Sequence, residues 1–174
     1  MEIERVLLDE KTIQRRVVEL GHSIETDYQG ESPLFVCVLR GAAIFHADLV
    51  RNTDLNLLID FIAVHSYGPS TKSCGEVQLI KDLETSVYGR DIVLVEDIVD
   101  TGLTLDYLLR NLQSRRPRSL KVCSLLSKPA RREISVDIDY VGFEIPDQFV
   151  VGYGLDFDQQ FRNLPFIAQL KETC

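Results

Sequence analysis

Residues 93–105 of the chain read VLVEDIVDTGLTL. The apolar run over residues 92–95 is short, unbroken and rich in β-branched side chains, which is typical of a strand buried on both faces of a parallel sheet. After Thr101 and Gly102, leucines recur at helical spacing, at positions 105, 108, 109 and 112. The stretch therefore predicts a buried strand, a tight turn and a helix.

The predicted turn has the features of an anion site. Gly102 can adopt a positive φ, and Thr101 and Thr104 carry hydroxyl groups that can donate hydrogen bonds. A turn of this kind directs several backbone N–H groups at one point, at the positive end of the helix dipole. We therefore expect a phosphate group to bind here.

Three acidic residues accompany this turn, namely Glu96, Asp97 and Asp100. Carboxylates repel phosphate, so their presence indicates a ligand that also offers hydroxyl groups or a bound divalent cation. A sugar phosphate with a free diol meets both conditions. The alternative is a set of solvated carboxylates beside an ordinary capped turn. Because the complete pattern is much rarer than any two of its parts, it favours a functional site.

The size and charge of the chain restrict its class. Its 174 residues predict one domain over residues 1–174, large enough to bury a core. The formal net charge of −8 argues against a nucleic-acid partner or an anionic membrane surface. We recognise neither a signal peptide nor an apolar run long enough to span a bilayer, so we expect a cytoplasmic protein without a membrane partner.

The cysteines agree with that location. Cys37, Cys74, Cys123 and Cys174 are scattered, with no C-x-x-C spacing. Cys37 and Cys123 lie in apolar, strand-like runs, where buried free thiols are common. We expect four reduced cysteines and no structural zinc site.

Strand and helix patterns alternate along the rest of the chain. Residues 9–28 predict a helix with Asp9 as its N-cap, followed by a strand at 34–39 and a second helix at 42–50. Further strands are expected at residues 55–64, 77–80, 119–126 and 140–145. The predicted fold class is α/β, a mostly parallel twisted sheet with helices on both faces. Its ligands should bind at the carboxyl ends of the strands.

The 93–105 stretch resembles the phosphoribosyl-diphosphate signature of the type I phosphoribosyltransferases, and the match to their hypoxanthine–guanine branch is close. The resemblance implies the type I phosphoribosyltransferase fold, with a small hood over the base supplied by residues 128–149. It also implies that the turn cradles a 5′-phosphate. The residues of that cradle are Asp100, Thr101, Gly102, Leu103 and Thr104.

The same resemblance gives each acidic residue a role. Glu96 and Asp97 would hold the ribose hydroxyls, directly or through a metal ion. Asp100 would be catalytic, because it would take or share the proton at N7 of the purine and so raise the nucleophilicity of N9.

A second strand-to-helix turn contains Leu39, Arg40 and Gly41. On spacing alone this is a weak signal, since Arg-Gly after a strand is often only a turn. In the hypoxanthine–guanine enzymes, a Leu-Lys/Arg-Gly triplet at this place binds pyrophosphate through a peptide bond that can be cis without proline. The resemblance further implies that Arg162 reaches pyrophosphate and that Asp156 holds Mg²⁺, the expected cofactor.

Residues 66–75 are polar, with glycines near both ends, and suit either a mobile lid or an inert surface loop. The resemblance implies a lid that closes over the pyrophosphate group, with Ser66 and Tyr67 as catalytic residues. Cys74 stands where the family commonly has Ser or Thr. This departure predicts a thiol-sensitive lid.

Three residues near the carboxyl half would bind the base. By default, Lys128 after a strand is a solvated charge, and Phe149 beside two valines is a core residue. The resemblance instead implies that Lys128 donates to the exocyclic oxygen of a 6-oxopurine, that Phe149 stacks on the purine and that the Val150 backbone faces the base edge.

The expected activity is Mg²⁺-dependent transfer of ribose 5-phosphate from phosphoribosyl diphosphate (PRPP) to N9 of hypoxanthine or guanine. It would yield IMP or GMP and pyrophosphate, a step of purine salvage. A xanthine-preferring transferase is the nearest alternative, and an RNA-binding regulator on the same fold is a more distant one. The expected partners are small-molecule substrates and other copies of the chain, since relatives are dimers or tetramers.

Overall fold

The computed structural model describes residues 2–66 and 77–171. Strands and helices alternate through most of this range. In chain order the elements are β1 (Ile3–Leu8), α1 (Glu10–Asp27), β2 (Leu34–Leu39), α2 (Ala43–Arg51), β3 (Leu58–Ser66), β4 (Val77–Lys81), β5 (Asp91–Val99), α3 (Leu103–Ser114), β6 (Ser119–Ser127), a short 3₁₀ helix (Pro129–Arg131), β7 (Tyr140–Glu144), β8 (Val150–Val151) and β9 (Ile167–Leu170).

The main sheet has six strands in the order β4-β3-β2-β5-β6-β7. Only the β3–β4 pair is antiparallel, and the other pairs run parallel. From β2 the chain moves outward to β3 and β4, then returns to the centre at β5 and moves outward the other way. The order therefore reverses between β2 and β5, which is where open α/β sheets bind their ligands.

Helices cover both faces of this sheet, as the sequence predicts. Along β5, Val93 and Val95 belong to the core that includes α1 and α2, whereas Ile92 and Leu94 belong to the core that includes α3. All four of these side chains are fully buried. The unbroken apolar run thus serves two cores at once, because successive side chains of a strand point to opposite faces.

The first helix also follows its sequence pattern. Its buried stripe contains Ile13, Val17, Leu20 and Ile24. Asp9 is the N-cap, and its carboxylate accepts a hydrogen bond of 2.7 Å from the backbone N–H of Thr12.

Among the described residues, none of the helices combines the length and the apolar character needed to cross a membrane.

The central strand is longer than its apolar run. It continues to Val99, so Glu96 and Asp97 lie within β5 and not in the turn after it. The reason is β6, which runs beside it and pairs Glu96 with Ser124 and Val99 with Ser127. Backbone pairing with a neighbouring strand extends β5 through two acidic residues that break the hydrophobic pattern.

A second sheet of three strands has the order β1-β9-β8. The sequence patterns did not predict β1 or β9, which bring the two ends of the chain together, with Ile3 opposite Leu170. Residues 128–149, predicted to supply the hood over the base, lie outside this small sheet, and β7 within that range joins β6 in the main sheet. Pairing between such distant segments leaves no local sequence signal.

Two of the four cysteines lie within the described residues. Cys37 and Cys123 are both free and buried. Burial raises the pKa of the Cys37 thiol to about 12 and that of the Cys123 thiol still further above its ordinary value. Both thiols are therefore unreactive at neutral pH. Cys74 and Cys174 lie outside the described residues.

Candidate active site

The predicted site residues gather where β2, β5 and β6 end. Arg40 directly follows β2, Asp100 follows β5 and Lys128 follows β6. Because these three strands are neighbours and parallel, their carboxyl ends share one rim of the sheet. Two cavities open there, and both are lined by Ile98 and Asp100. Asp100 therefore stands between them.

The first cavity has a volume of about 270 Å³. It brings together the ends of β2 and β5 and the turn before α3. The predicted site residues in its lining are Leu39, Gly41, Glu96, Asp97, Asp100, Thr101 and Thr104.

The turn in this cavity depends on Gly102. Gly102 is the N-cap of α3 with a φ of 89°, in the left-handed region that favours glycine. A Cβ at this position would lie 2.7 Å from the carbonyl oxygen of Ile134, so no side chain fits. A glycine N-cap also offers no side-chain hydrogen bond to the first turn of α3. The N–H of Leu103 donates to Oγ1 of Thr101 at 3.4 Å, and the other N–H groups at the start of the helix can bind an anion.

Glu96 and Asp97 form an acidic pair inside the cavity. Glu96 is only 5% exposed, and burial together with the neighbouring Asp97 raises the pKa of its carboxyl well above the usual range. Burial also raises the pKa of Asp97, against the lowering effect of the backbone N–H of Ile98. Two neighbouring carboxyl groups, one buried and one partly buried, are costly to ionise together, so a ligand that brings hydroxyl donors or a cation would stabilise the site.

Gly41 makes room for this acidic pair. A Cβ on Gly41 would lie 1.7 Å from Oδ2 of Asp97, closer than any real contact. The peptide between Leu39 and Arg40 is cis, as the resemblance implies for this triplet. The turn after β2 therefore packs backbone, without a side chain, against the carboxylate from β5.

The second cavity has a volume of about 250 Å³ and contains the predicted base-binding residues Lys128, Phe149 and Val150, together with Asp156. Lys128 is 4% exposed, and its Nζ lies 3.9 Å from Oδ1 of Asp147. Phe149 is 53% exposed and contacts Phe157 edge to face, with 5.7 Å between the ring centroids. The default expectations for the two residues are thus reversed, because the lysine is buried and the phenylalanine is exposed.

Two arginines that the sequence patterns did not single out lie beside Asp100. Nε of Arg131 lies 3.2 Å from Oδ1 of Asp100, in an ion pair without hydrogen-bond geometry at that buried oxygen. Nη1 of Arg132 donates to the backbone carbonyl of Asp100 at 3.0 Å, and its Nη2 donates to Oγ of Ser127 at 2.9 Å. Their position in the sequence, three and four residues after Lys128, could have indicated that they lie near the base-binding residues.

Asp147 was also missed. Its Oδ1 lies 3.5 Å from Nη1 of Arg131, besides its approach to Lys128. The two cations of the second cavity therefore share one partly exposed carboxylate. An incoming polar ligand can replace Asp147 as the partner of Lys128 without leaving that carboxylate uncompensated.

Arg40, Asp156 and Arg162 lie close together at one side of the rim. Nη2 of Arg162 lies 2.7 Å from Oδ1 of Asp156, and its Nη1 donates to the carbonyl of Gly154 at 2.7 Å. Gly154 has a φ of 101°, and a Cβ on it would lie 2.1 Å from the carbonyl oxygen of Gly41. This close approach of two glycines joins the segment after β8 to the turn after β2.

The acidic residues of the rim are the candidates for holding Mg²⁺. Within residues 2–66 and 77–171, no group of three or more His, Cys, Asp or Glu side chains is arranged to hold a metal ion. Mg²⁺ is commonly bound through one or two carboxylates together with water and substrate phosphates, and it does not require an all-protein cage. Asp156, or the pair Glu96 and Asp97, fits that mode of binding.

The lid residues are described only in part. Ser66 is the last residue of β3, whereas Tyr67 and Cys74 lie outside the described residues. The predicted lid therefore begins at the antiparallel β3–β4 pair, at the edge of the main sheet.

Comparison with known proteins agrees with this geometry. The phosphoribosyl transferase domain family matches residues 6–158. The hypoxanthine-guanine phosphoribosyltransferase of Bacillus subtilis is 52% identical over 170 residues, covering 98% of this chain and 94% of that protein. The enzyme of the same name from Mycobacterium avium is 51% identical over 97% of this chain and 86% of its own.

A solved structure has a similar fold over nearly the whole chain. The crystal structure of a hypoxanthine-guanine phosphoribosyltransferase from Bacillus anthracis superimposes with a TM-score of 0.93 at 44% identity, covering 98% of this chain and 100% of that one. The similarity in fold therefore extends over nearly the whole chain. Since the family match spans most of the sequence and these relatives extend over nearly all of it, the chain belongs to the phosphoribosyltransferase family.

Proposed function

We propose that this protein is a purine-salvage enzyme that transfers ribose 5-phosphate from PRPP to N9 of hypoxanthine or guanine, releasing pyrophosphate. The observation that carries the proposal is the second cavity, whose lining combines a buried lysine, a half-exposed phenylalanine and Asp100. The similarity to bacterial hypoxanthine-guanine phosphoribosyltransferases supports the same proposal.

The sugar phosphate would occupy the first cavity. Its 5′-phosphate would accept hydrogen bonds from the N-terminal turn of α3, with the hydroxyls of Thr101 and Thr104 as further donors. The ribose hydroxyls would donate to the carboxyl oxygens of Glu96 and Asp97, which line this cavity. The two cavities meet at Asp100, so the anomeric carbon would lie next to the base.

The purine would occupy the second cavity. Phe149 would stack on one face of the ring, and Lys128 would exchange Asp147 for the 6-oxo group of the base. An ammonium group only donates hydrogen bonds, so it favours a 6-oxopurine over adenine. Backbone carbonyls near Val150 would accept from the 2-amino group of guanine and repel the 2-oxo group of xanthine.

Asp100 would act as the general base at N7. Its carboxylate stands between the cavities, where it can take or share the N7 proton as N9 attacks the anomeric carbon. Positioned general bases contribute roughly two to four orders of magnitude in rate. Departure of pyrophosphate gives the ribose oxocarbenium character, as in other glycosyl transfers.

The pyrophosphate would leave towards Arg40 and Arg162. When bound by Asp156, or by Glu96 and Asp97, Mg²⁺ supplies positive charge that neutralises the diphosphate. The two guanidinium groups add hydrogen bonds to its oxygens. The predicted lid with Ser66 and Tyr67 would exclude water, which could otherwise intercept the sugar.

We further propose one domain over residues 1–174, a cytoplasmic location and a homo-oligomer, either dimeric or tetrameric. The buried free thiols of Cys37 and Cys123 support a reducing compartment.

The test is a pyrophosphate-release assay with Mg²⁺ and PRPP, offering hypoxanthine, guanine, xanthine, adenine and uracil in turn. We expect turnover with the first two bases and little with the others. Fastest turnover with xanthine would instead identify a xanthine-preferring enzyme. No turnover with any 6-oxopurine would refute the proposal.

A further inference from the structure

The loop between Asp156 and Arg162 contains a feature that the reaction above does not use. Gln159 stands in this loop, and its side-chain oxygen Oε1 accepts a hydrogen bond of 2.8 Å from Nη1 of Arg40. Nη2 of Arg162 approaches the same oxygen at 3.4 Å. Both donors are guanidinium groups, so the acceptor must be the amide oxygen and not the amide nitrogen. One neutral atom therefore connects the two arginines proposed to bind pyrophosphate.

The backbone of this loop is built around the position of Gln159. Phe157 and Gln160 exchange backbone hydrogen bonds of 3.2 and 3.0 Å, which closes a two-residue hairpin turn. The central residues, Asp158 and Gln159, have φ values of 50° and 64°. Positive φ at both positions is the pattern of a type I′ turn, which prefers Asn-Gly or Asp-Gly. Gln159 thus occupies the position where glycine is favoured.

A further contact fixes the orientation of the turn. The backbone N–H of Gln159 donates to Oδ2 of Asp156 at 2.8 Å. The other oxygen of Asp156 pairs with Arg162. The turn, the carboxylate and one arginine are therefore linked, and the Gln159 side chain extends this link to Arg40.

We propose that Gln159 is a positioning residue that holds Arg40 beside Arg162, so that both guanidinium groups are oriented before the pyrophosphate end of PRPP arrives. This inference rests on the proposed function. Arg40 is exposed and has a long side chain, so without a partner it would lose much rotamer freedom on binding. One hydrogen bond to Gln159 leaves the other N–H groups of its guanidinium available for phosphate oxygens. Orienting the group in advance reduces the entropic cost of binding.

The neutral charge of Gln159 matters for the same reason. Two guanidinium groups near one another repel, and a shared acceptor offsets part of that repulsion. A carboxylate in this place would pair with the arginines more strongly, but it would also repel the phosphate oxygens and compete for the same donors. An amide oxygen orients both cations without neutralising them.

The test compares Gln159→Gly, Asp158→Gly and Gln159→Glu with the wild type, and Gln159→Gly again in an Arg40→Ala background, by titration calorimetry with magnesium PRPP and by steady-state kinetics. Gln159→Gly removes the side chain and places the favoured residue in the turn, so we expect an unchanged or higher Tm. The Kd and KM for PRPP should rise roughly three- to tenfold, the range for losing one charge-assisted hydrogen bond at an exposed site. The KM for the base should stay within twofold, as should kcat.

Asp158→Gly is the matched control, because it relaxes the same turn and removes no contact to either arginine. Its Kd for PRPP should equal that of the wild type. Gln159→Glu should weaken PRPP binding at least as much as Gln159→Gly. In an Arg40→Ala background, Gln159→Gly should cause at most about a twofold further loss, because most of its effect passes through Arg40.

Wild-type PRPP affinity in Gln159→Gly, an equal loss in Asp158→Gly, or full affinity in Gln159→Glu would each overturn the inference. The inference would also be overturned if the losses of PRPP affinity caused by Arg40→Ala and by Gln159→Gly multiplied in the double variant. The proposed function is judged separately, by turnover of the wild-type enzyme, whereas the inference is judged by the ratio of variant to wild-type PRPP affinity.

Discussion

Substitution of Gly41 by alanine tests the packing between the β2 turn and the acidic pair. The added Cβ would lie 1.7 Å from Oδ2 of Asp97, while ordinary contact begins at 3.4 Å. The carboxylate oxygen must therefore move by about 1.7 Å, or the turn must move away from it by the same amount. Either change displaces a group proposed to hold the ribose.

The expected loss follows from that displacement. A misplacement of about 1 Å in a substrate-binding group can lower the rate by roughly 100-fold, so kcat/KM for PRPP should fall by at least about that factor. Overpacking a close contact costs about 1–3 kcal/mol of stability, which urea unfolding would report. Steady-state kinetics on folded protein separates the two effects.

A double-mutant cycle shows whether the effect passes through Asp97. Because Asp97→Ala removes the clashing carboxylate, Gly41→Ala in that background should add at most a few-fold to the loss. The reasoning is refuted if Gly41→Ala keeps wild-type kcat/KM. It is equally refuted if the losses of the two single variants multiply in the double variant.

Three further predictions concern single side chains. Lys128→Ala should raise the KM for hypoxanthine by roughly 10- to 100-fold, because a charge-assisted hydrogen bond is lost. The Kd for PRPP should stay within about threefold of the wild-type value. Equal losses for both substrates would contradict the role given to Lys128. Phe149→Ala should raise the KM for the base about tenfold, because stacking on the purine is lost. Since Phe149 is 53% exposed, the unfolding free energy should change by less than about 0.5 kcal/mol. A large loss of stability would identify Phe149 as a packing residue instead. Asp60 is buried, which raises the pKa of its carboxyl, but hydrogen bonds from the backbone N–H groups of Thr85, Phe61 and Glu84 outweigh this effect and lower it below the ordinary value of 3.8. The ionised carboxylate of Asp60 therefore stabilises the fold above about pH 4, and this contribution is lost as the pH falls through the lowered pKa. Urea unfolding should show Asp60→Asn destabilised by about 1–3 kcal/mol at pH 7 and by progressively less below pH 4. A difference that stays constant across that pH range would rule out this assignment.

Local sequence patterns predict the features that depend on neighbouring residues. The apolar stripe and N-cap of α1 follow from helical periodicity and from the short reach of Asp9. The turn at Gly102 follows from the ability of glycine to adopt positive φ. The expectation that ligands bind at the carboxyl ends of the strands follows from the local alternation of strand and helix patterns, which predicts a parallel sheet. Each of these signals is carried by residues close together in the chain.

The features that join distant segments depend on the tertiary structure. The pairing of β1 with β9 depends on the two chain ends meeting, and the extension of β5 through Glu96 depends on β6 lying beside it. The burial of Lys128, the exposure of Phe149 and the contact of Gln159 with Arg40 likewise arise from the path of the whole chain. Periodicity reports which face of an element is apolar, but it does not report which distant groups come to lie against it.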